Sequence, residues 1–348
     1  MAGRLVQALR HVRPAVVGKL RKRLAWLALA IFGPIILGLG WVLWAGSSQI
    51  IAPGPLPLGD YQQQALAEPA LTIERHVTTG GDVPYLAVAP HGAIPGERGK
   101  TLREQLTTNG FQLSIHGKTH GTIVLLHGRR GRKESLLRVA ERFTAIGFRC
   151  LIPDLPAHGE SPMAHVAYGA STSEKTLPST LINHARQTLG WPSADEPVGL
   201  WGMSMGGALA TAAAASSPDE WKALMILCSF DDLNGVLSDK LDQLAGPLGP
   251  PVNYALQSLV RRRSGLALQE VKPNHWATLA PPQLPVFMAH GDADSLIHHS
   301  RGQNLFHAFP GEDKQWLTVT DAGHHNILIT DQPVYAAMGA WLLQRMRR

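Results

Sequence analysis

A serine between two glycines marks an abrupt change of pattern in the middle of this chain. Residues 202–206 read GMSMG; a short apolar run at 198–201 precedes them and an alanine-rich run follows them. This order predicts a strand, a sharp turn and a helix. A serine at such a turn is held out of the sheet on a strained backbone, and small residues such as Gly202 and Gly206 let the strand and the helix approach each other. The chain is therefore expected to contain a β-strand that passes directly into an α-helix at Ser204.

Three other apolar runs each end in a short turn that carries reactive side chains. The runs span residues 122–126, 284–289 and 316–320, and the turns read HGRRG (127–131), HGDAD (290–294) and DAGHHN (321–326). Apolar runs of this length predict buried strands, and the run at 122–126 is also rich in β-branched residues. Because the carboxyl ends of parallel strands meet at one edge of an open sheet, where ligand crevices usually lie, we expect these turns to converge on Ser204.

From Leu71 to the C-terminus these motifs resemble those of the α/β-hydrolase family. The G-x-S-x-G turn of the family matches Gly202 to Gly206, its H-G oxyanion turn matches His127-Gly128, its H-G-x-x-D acid turn matches His290 to Asp294, and its G-H base turn matches Gly323-His324. Residues 154–161 (DLPAHGES) also resemble the family's D-x-x-G-x-G-x-S turn, with Ala157 where glycine is common. That turn shapes the pocket wall and takes no part in the chemistry, so the departure leaves the catalytic interpretation intact.

The resemblance implies a catalytic triad and an oxyanion hole. Ser204 is the implied nucleophile, His324 the general base, and Asp294 the acid that orients the base. The backbone N–H groups of Met205 and Arg129 are the implied oxyanion donors. Hydrolysis by such a site needs no cofactor, and none is expected.

The residues leave alternatives open for the acid and the base. These are Asp292, beside Asp294; Asp231 and Asp232, after the apolar run at 223–230; and His325, beside His324. His290, His298 and His299 are expected to be structural or on the surface. Adjacent histidines on a loop point in different directions and lack the i, i+4 helical spacing of a zinc pair, so no catalytic metal is expected.

A basic cluster follows the oxyanion turn: Arg129, Arg130, Arg132 and Lys133. At the mouth of a pocket these side chains would favour an acidic acyl or leaving group, whereas a charge run in a loop is more often a solvated face.

The N-terminal region contains an apolar segment from Leu24 to Trp44, 21 residues without a charge. As a helix it would span roughly 30 Å, the hydrocarbon thickness of a bilayer. Seven basic residues precede it, and the first acidic residue is Asp60. The positive-inside rule then predicts a single-pass anchor in the cytoplasmic (inner) membrane, with a cytoplasmic N-terminus and an extracytoplasmic, periplasmic catalytic domain. A cleaved signal peptide is the alternative, because Ala45-Gly46-Ser47 supplies a small-x-small site after the segment.

The basic character of the chain belongs to its N-terminal leader. Of 32 basic and 26 acidic residues, seven basic ones lie before the apolar segment, which leaves 25 against 26 for the rest. A nucleic-acid-binding protein would carry a basic patch on its folded part, so no nucleic-acid partner is expected. Cys150 and Cys228 fall in predicted buried strands, and the strand order that the family resemblance implies does not make these strands neighbours, so neither a disulfide nor cysteine catalysis is expected.

These features predict four regions: a basic leader (1–23), a transmembrane helix (24–44), a linker rich in proline and glycine (45–70) and an α/β-hydrolase domain (71–348) with a short cap at 231–280. Leu71 to Ala89 and Phe111 to His116 are expected to form the first antiparallel strands. The later alternation of strands and helices predicts a mostly parallel sheet with helices on both faces. In the cap, Leu237, Leu241, Leu244 and Leu248 are expected either to line the cleft or to face the core.

The expected function is that of a membrane-anchored serine hydrolase that cleaves a carboxylic ester or thioester through an acyl-enzyme. A serine peptidase or amidase would use the same triad, and a non-catalytic hydrolase-like binding module at the membrane is a further alternative. The expected partners are a small-molecule ester, thioester or peptide substrate and the lipid bilayer.

Overall fold

The computed structural model describes residues 14–54, 56–330 and 332–346. Most of the predicted leader, with Arg4, Arg10 and Arg13, lies outside these residues. The helices are α1 (Pro14–Ile51), α2 (Asp60–Leu66), α3 (Glu97–Thr108), α4 (Leu137–Ala145), α5 (Thr172–Leu189), α6 (Met205–Ser216), α7 (Leu233–Ala245), α8 (Gly249–Ser264), α9 (Pro273–Thr278), α10 (His299–Ala308) and α11 (Val334–Met346). The strands are β1 (Leu71–Val77), β2 (Pro84–Pro90), β3 (Gly121–Leu126), β4 (Phe148–Pro153), β5 (Val198–Met203), β6 (Ala223–Leu227), β7 (Val286–Gly291) and β8 (Lys314–Val319).

One sheet of eight strands forms the centre of the domain, in the order β1-β2-β4-β3-β5-β6-β7-β8. The pairs β1–β2 and β2–β4 are antiparallel, and all the other pairs are parallel. The first hairpin and the mostly parallel sheet confirm the architecture predicted from the sequence.

Strand β3 illustrates why the central strands are apolar throughout. Successive side chains of a strand point to opposite faces of a sheet. Val124 and Leu126 pack with helices α5 and α6 in one core, and Ile123 and Leu125 pack with α3, α4 and α11 in the other. Because helices cover both faces, an uninterrupted apolar run is favoured over an alternating one.

The predicted strand at 111–116 is wrong. These residues form a loop between α3 and β3, although Phe111 and Leu113 still pack against the core. Both edges of β2 are already paired, with β1 and with β4. The apolar side chains of the loop therefore contribute burial without strand pairing.

The linker begins later than the sequence indicated. Helix α1 continues past Trp44 to Ile51, and among the described residues only 52–54 and 56–59 are irregular before α2 begins. The hydroxyls of Ser47 and Ser48 both donate to the Trp44 carbonyl, 2.8 and 3.0 Å away. Such bonds to a preceding turn are compatible with a helix, and Pro53 lies just beyond its end.

Within the described part of the chain, one helix is long and apolar enough to cross a membrane, over Arg21–Ile51. The large apolar side chains between Leu24 and Trp44 are mostly exposed, as Trp26 at 70% and Leu37 at 75% illustrate, whereas Ile51 at the end of the helix is buried in the domain.

Helices α7, α8 and α9 replace the alternating pattern between β6 and β7, in the segment predicted to be a cap. Leu237 packs against the core, whereas Leu244 is 73% and Leu248 65% exposed. Of the two expectations for these leucines, the one that they face the core is therefore wrong for Leu244 and Leu248. Cys150 and Cys228 are buried free thiols on β4 and just after β6, which are not neighbouring strands, as expected.

Candidate active site

Ser204 lies at the junction of β5 and α6 in a strained backbone conformation, with φ of 55° and ψ of −119°. Two hydrogen bonds hold this turn. The Ser204 N–H donates to the Leu227 carbonyl at 2.8 Å, and the Ser204 carbonyl accepts from Ser229 Oγ at 2.9 Å. A non-glycine residue with positive φ persists only where its surroundings fix it, and here the end of β6 does so.

The flanking glycines are required by backbone crowding. A Cβ atom on Gly206 would lie 2.1 Å from the Leu126 carbonyl oxygen, and one on Gly202 would lie 2.2 Å from the Gly206 carbonyl oxygen. Neither distance is possible for a real side chain, so β5, β3 and α6 can meet here only if both positions are glycine.

The structure brings Ser204, His324 and Asp294 together in one hydrogen-bonded chain. His324 Nδ1 lies 2.7 Å from Asp294 Oδ2, and His324 Nε2 lies 3.0 Å from Ser204 Oγ. All three residues are buried and come from the ends of β5, β7 and β8. The convergence predicted from the order of strands and turns is thus what the fold produces.

The Asp294 carboxyl is held in its ionised form. Burial raises the pKa of this carboxyl, but hydrogen bonds from His290 and His324 lower it by more than burial raises it. The pKa of Asp294 therefore lies below its ordinary value. The backbone N–H groups of Leu296 and Ile297 both donate to Oδ1 at 2.9 Å. An ionised carboxylate can only accept, so His324 carries a proton on Nδ1 and turns the lone pair of Nε2 towards the Ser204 hydroxyl.

His290 takes part in this arrangement, which the sequence analysis did not anticipate. Its ring is fully buried, and its Nε2 lies 2.9 Å from the Ile297 carbonyl oxygen and 3.2 Å from Asp294 Oδ2. Both partners only accept, so the proton resides on Nε2. His290 therefore positions the acid, and its place four residues before Asp294 in the H-G-x-x-D turn is the signal that could have revealed it.

The turn at 127–131 is fixed beside Ser204 by a buried histidine. His127 Nδ1 donates to the Gly128 carbonyl at 2.9 Å, and Nε2 accepts from the Leu155 N–H at 3.1 Å. Burial, followed by the nearby His158, lowers the pKa of His127 to about 3, so the ring stays neutral. A Cβ on Gly128 would lie 3.5 Å from Ser204 Cβ, which shows how closely the turn approaches the serine.

The first residue of α6 is Met205, directly after the serine. The first four N–H groups of a helix have no acceptor within that helix. The Met205 N–H is one of these groups, and it directly follows Ser204 in the chain.

The basic cluster after this turn separates into two kinds of residue. Lys133 is buried, and its Nζ lies 2.6 Å from Asp154 Oδ2; Arg132 Nε lies 2.7 Å from Glu134 Oε2. Both are occupied by structural ion pairs, so the suggestion that the whole cluster rings a pocket mouth is wrong for these two. Arg129 and Arg130 are exposed, and Arg129 Nη1 donates to the Gln49 carbonyl of α1 at 3.3 Å.

The alternative acids and the alternative base lie outside the hydrogen-bonded chain. Asp292 is exposed and accepts from the Asp321 N–H, and Asp231 pairs with Arg301. Asp232 accepts from the Gly235 N–H at the start of α7, and His325 is exposed.

In the turn at 154–161, Ala157 has φ of 62°, a conformation that glycine adopts more easily.

One group of potential metal ligands occurs among the described residues: donor atoms of Cys228, Asp294 and His324 lie within 4.8 Å of one another. Burial raises the pKa of the Cys228 thiol to about 12, and His324 Nδ1 is already bonded to Asp294. Thiolate, the form that binds metals, is therefore disfavoured here.

Two family models match the chain. One, described as the alpha/beta hydrolase fold, matches residues 121–249, and one, described as the prolyl oligopeptidase family, matches residues 193–347. A search of curated proteins gave no match.

Solved structures resemble the chain over most of its length. An esterase from Pyrococcus furiosus has a TM-score of 0.58 at 16% identity and covers 84% of this chain and 97% of its own. A candidate lipase from Acinetobacter baumannii has a TM-score of 0.53 at 16% identity, with 83% and 97% covered. A 2,6-dihydroxy-pseudo-oxynicotine hydrolase has a TM-score of 0.54 at 18% identity, with 82% and 71% covered. The sheet, the turn around Ser204 and these matches agree, and the chain has the α/β-hydrolase fold.

Proposed function

We propose that this protein is a serine hydrolase that cleaves a carboxylic ester or thioester through an acyl-enzyme. The observation that carries the proposal is the chain of hydrogen bonds from Asp294 through His324 to Ser204, at 2.7 and 3.0 Å. Two of the similar structures, an esterase and a candidate lipase, have activities of the same class.

The proposed reaction has two steps. His324 Nε2 takes the proton of the Ser204 hydroxyl while Oγ bonds to the carbonyl carbon; the tetrahedral intermediate then expels the alcohol or thiol, which receives that proton. Water, deprotonated by His324, attacks the acyl-enzyme, and the acid product leaves with Ser204 restored. Asp294 stays ionised throughout and stabilises the imidazolium.

The oxyanion of both intermediates would be bound by the backbone N–H groups of Met205 and Arg129. Preorganised donors of this kind typically contribute about 100- to 1,000-fold in turnover each. The buried His127 holds the second donor turn through its bond to the Gly128 carbonyl, so its role is to position.

The apolar helix α1 would anchor the enzyme in the cytoplasmic membrane. Its exposed apolar side chains are those that a bilayer would cover, and Lys19, Arg21, Lys22 and Arg23 precede the apolar part. The positive-inside rule then favours a cytoplasmic N-terminus and an extracytoplasmic catalytic domain. The proposed organisation is a leader, a membrane helix, a short connection and one hydrolase domain.

The test is labelling of the full chain in membranes with a fluorophosphonate probe, together with hydrolysis of p-nitrophenyl esters. Labelling should disappear in Ser204→Ala and fall strongly in His324→Ala and Asp294→Asn. His325→Ala, next to the base and outside the hydrogen-bonded chain, is the matched control and should stay within a few-fold of the wild type. Labelling that persists in Ser204→Ala would refute the assignment of the nucleophile.

A peptidase or amidase is the second candidate, because the prolyl oligopeptidase family model matches residues 193–347. A p-nitroanilide and a p-nitrophenyl ester of the same acyl group would separate the two activities. Turnover of the anilide at a rate close to that of the ester would favour the peptidase.

A further inference from the structure

The last two turns of α1 differ from the rest of that helix. We call residues 44–51 the docking segment. In the apolar part that precedes it, large side chains such as Trp26 and Leu37 are mostly exposed, whereas Ser47 and Ile51 have no exposed surface. Ile51 belongs to the same core cluster as strands β3 and β5. The helix therefore ends inside the catalytic domain, although most of it lies outside.

Carbonyl groups at the helix end are bound by the catalytic domain. The last four carbonyls of a helix have no partner within it. Here Gln49 O accepts from Arg129 Nη1 at 3.3 Å, Ile50 O accepts from the Tyr168 hydroxyl at 2.6 Å, and Ile51 O accepts from the Val166 N–H at 2.8 Å. The domain thus acts as the C-terminal cap of the membrane helix.

A second set of contacts comes from helix α8. Arg263 Nη1 donates to the Trp44 carbonyl at 2.9 Å and to Ser48 Oγ at 2.8 Å, and it also bonds Ser47 Oγ. Its guanidinium lies 4.8 Å from the centre of the Trp44 ring. A cation near the C-terminus of a helix is favourable because it meets the negative end of the helix dipole, and a guanidinium over an indole adds a cation–π contact.

The loop that receives Ile50 and Ile51 is itself fixed. Glu174 accepts from the N–H groups of Ala167 and Gly169, both at 2.6 Å, and these residues flank Tyr168. Tyr168 is buried and has φ of 55°. The loop that contacts the docking segment is therefore also held in place by Glu174, through hydrogen bonds that do not involve the docking segment.

We propose that the docking segment is a permanent part of the catalytic domain, which fixes the candidate active site at the bilayer surface for esters of membrane-held amphiphiles. The apolar span ends at Trp44, and Ile51 lies about 10 Å further along the helix axis. Arg129, a residue of the proposed oxyanion turn, contacts Gln49 within that distance. An ester group at the lipid–water interface would be within reach, whereas a flexible tether would leave the cleft facing bulk water. This inference rests on the proposed hydrolase function and on the proposed anchor.

Retention of the helix follows from the same contacts. The small residues Ala45-Gly46-Ser47, which resemble a cleavage site, are used to pack against α8: a Cβ on Gly46 would lie 3.5 Å from Leu256 Cδ1, and Ser47 bonds Arg263. The mature protein should therefore begin before this segment.

The first test is thiol accessibility of the full chain in lipid vesicles, with a membrane-impermeant maleimide. Both native cysteines are buried, so single introduced cysteines can be followed. Ile51→Cys should label at least about tenfold more slowly than the exposed neighbour Gln49→Cys, because labelling requires local opening. Adding Arg263→Ala should remove much of this protection, whereas Arg262→Ala, the exposed neighbour, should keep it. Equal labelling rates of the two cysteines in an otherwise unchanged chain would overturn the proposal that the docking segment is a permanent part of the catalytic domain.

The second test compares two esters: p-nitrophenyl palmitate incorporated in vesicles of phosphatidylethanolamine and phosphatidylglycerol, and p-nitrophenyl butyrate in water. Arg263→Ala should lower kcat/KM for the palmitate by about tenfold, the loss expected for one charge-assisted hydrogen bond. The butyrate should stay within a few-fold. Tyr168→Phe, which removes only one hydroxyl, should act in the same direction, and Arg262→Ala should not.

A ratio of the two activities that is the same in wild type, Arg263→Ala and Tyr168→Phe would overturn the amphiphile assignment. If the wild type hydrolyses neither ester, the proposed hydrolase function fails and the amphiphile assignment falls with it. The thiol measurement then still decides whether the helix end is docked.

Discussion

The turn around Ser204 and the docking segment are both junctions between a helix and the sheet domain, but different forces hold them. Around Ser204 the backbone itself is crowded: a methyl group on Gly202 or Gly206 would overlap carbonyl atoms. At the docking segment the contacts are hydrogen bonds from side chains, chiefly Arg263 and Tyr168. Because the crowded backbone around Ser204 leaves no room for an added methyl group, we expect the first junction to tolerate almost no substitution. The second junction should lose stability gradually, as the side chains that donate its hydrogen bonds are removed one at a time.

Ser204→Ala should produce the largest effect and change only chemistry. Loss of the nucleophile in a triad lowers turnover by about a million-fold. Alanine keeps the small side chain, so the strained turn and the unfolding free energy should be retained. Rates of ester hydrolysis and denaturant unfolding of the same preparation would check this, with Ser216→Ala at the opposite end of α6 as the control. A loss of less than about a thousandfold would point to a different nucleophile.

Gly206→Ala should produce the largest effect on folding. The added methyl would lie 2.1 Å from the Leu126 carbonyl oxygen, so β3 and α6 must separate, and we expect a cost of about 4 kcal/mol or more. Gly128→Ala is the matched control in the neighbouring turn, because its methyl would meet Met203 O and Ser204 Cβ at 3.4 and 3.5 Å, ordinary contact distances. Urea titration of both variants measures the difference. Equal costs would contradict the view that backbone crowding distinguishes the two positions.

The difference between backbone crowding at Ser204 and side-chain hydrogen bonds at the docking segment also explains which features could be predicted from the sequence. The strands that carry Ser204, Asp294 and His324, and their convergence, followed from apolar runs and from glycines that the backbone requires. The contacts of the docking segment did not, because Arg263 and Tyr168 are ordinary residues far away in sequence, and nothing local marks their partners. The predicted strand at 111–116 failed for a related reason: an apolar run signals burial, but strand pairing also needs a free sheet edge.

Glu174→Gln should change the pH dependence of stability through the loop that receives the docking segment. Burial raises the pKa of Glu174 from 4.5 to about 7, against the opposing effect of the N–H groups of Ala167 and Gly169. The folded state therefore holds the proton more tightly than the unfolded state. The contribution of Glu174 to the unfolding free energy is therefore fully present below pH 4.5 and is lost, by up to about 3 kcal/mol, as the pH rises through 7.

Glutamine is neutral at every pH, so the variant should lack this component of the slope. Denaturant unfolding between pH 4.5 and pH 8 would measure it, with the exposed Glu104→Gln as the control. A slope unchanged from the wild type would show that Glu174 does not titrate in this window.

His290→Gln tests whether the turn that carries Asp294 also depends on a side chain outside the proposed triad. The His290 N–H lies 3.2 Å from Asp294 Oδ2, and a buried hydrogen bond to a charged group contributes about 1.5–3 kcal/mol. We expect kcat to fall by at least about tenfold, with KM little changed, because the bond orients the acid and does not touch the substrate. His298→Ala, an exposed neighbour, is the control. A change in KM alone would assign His290 to substrate binding instead.

Leucines of helix α7 should give the smallest effects, and they extend the comparison to the segment between β6 and β7. Leu237 packs against the core, so Leu237→Ala should cost about 1 kcal/mol, whereas Leu244 is 73% exposed and Leu244→Ala should stay within about 0.5 kcal/mol. Thermal or urea unfolding of the pair is sufficient to separate them. If Leu244→Ala costs as much as Leu237→Ala, α7 must fold back over the cleft, and the cap would then be a third junction, held by apolar burial and not by backbone crowding or hydrogen bonds.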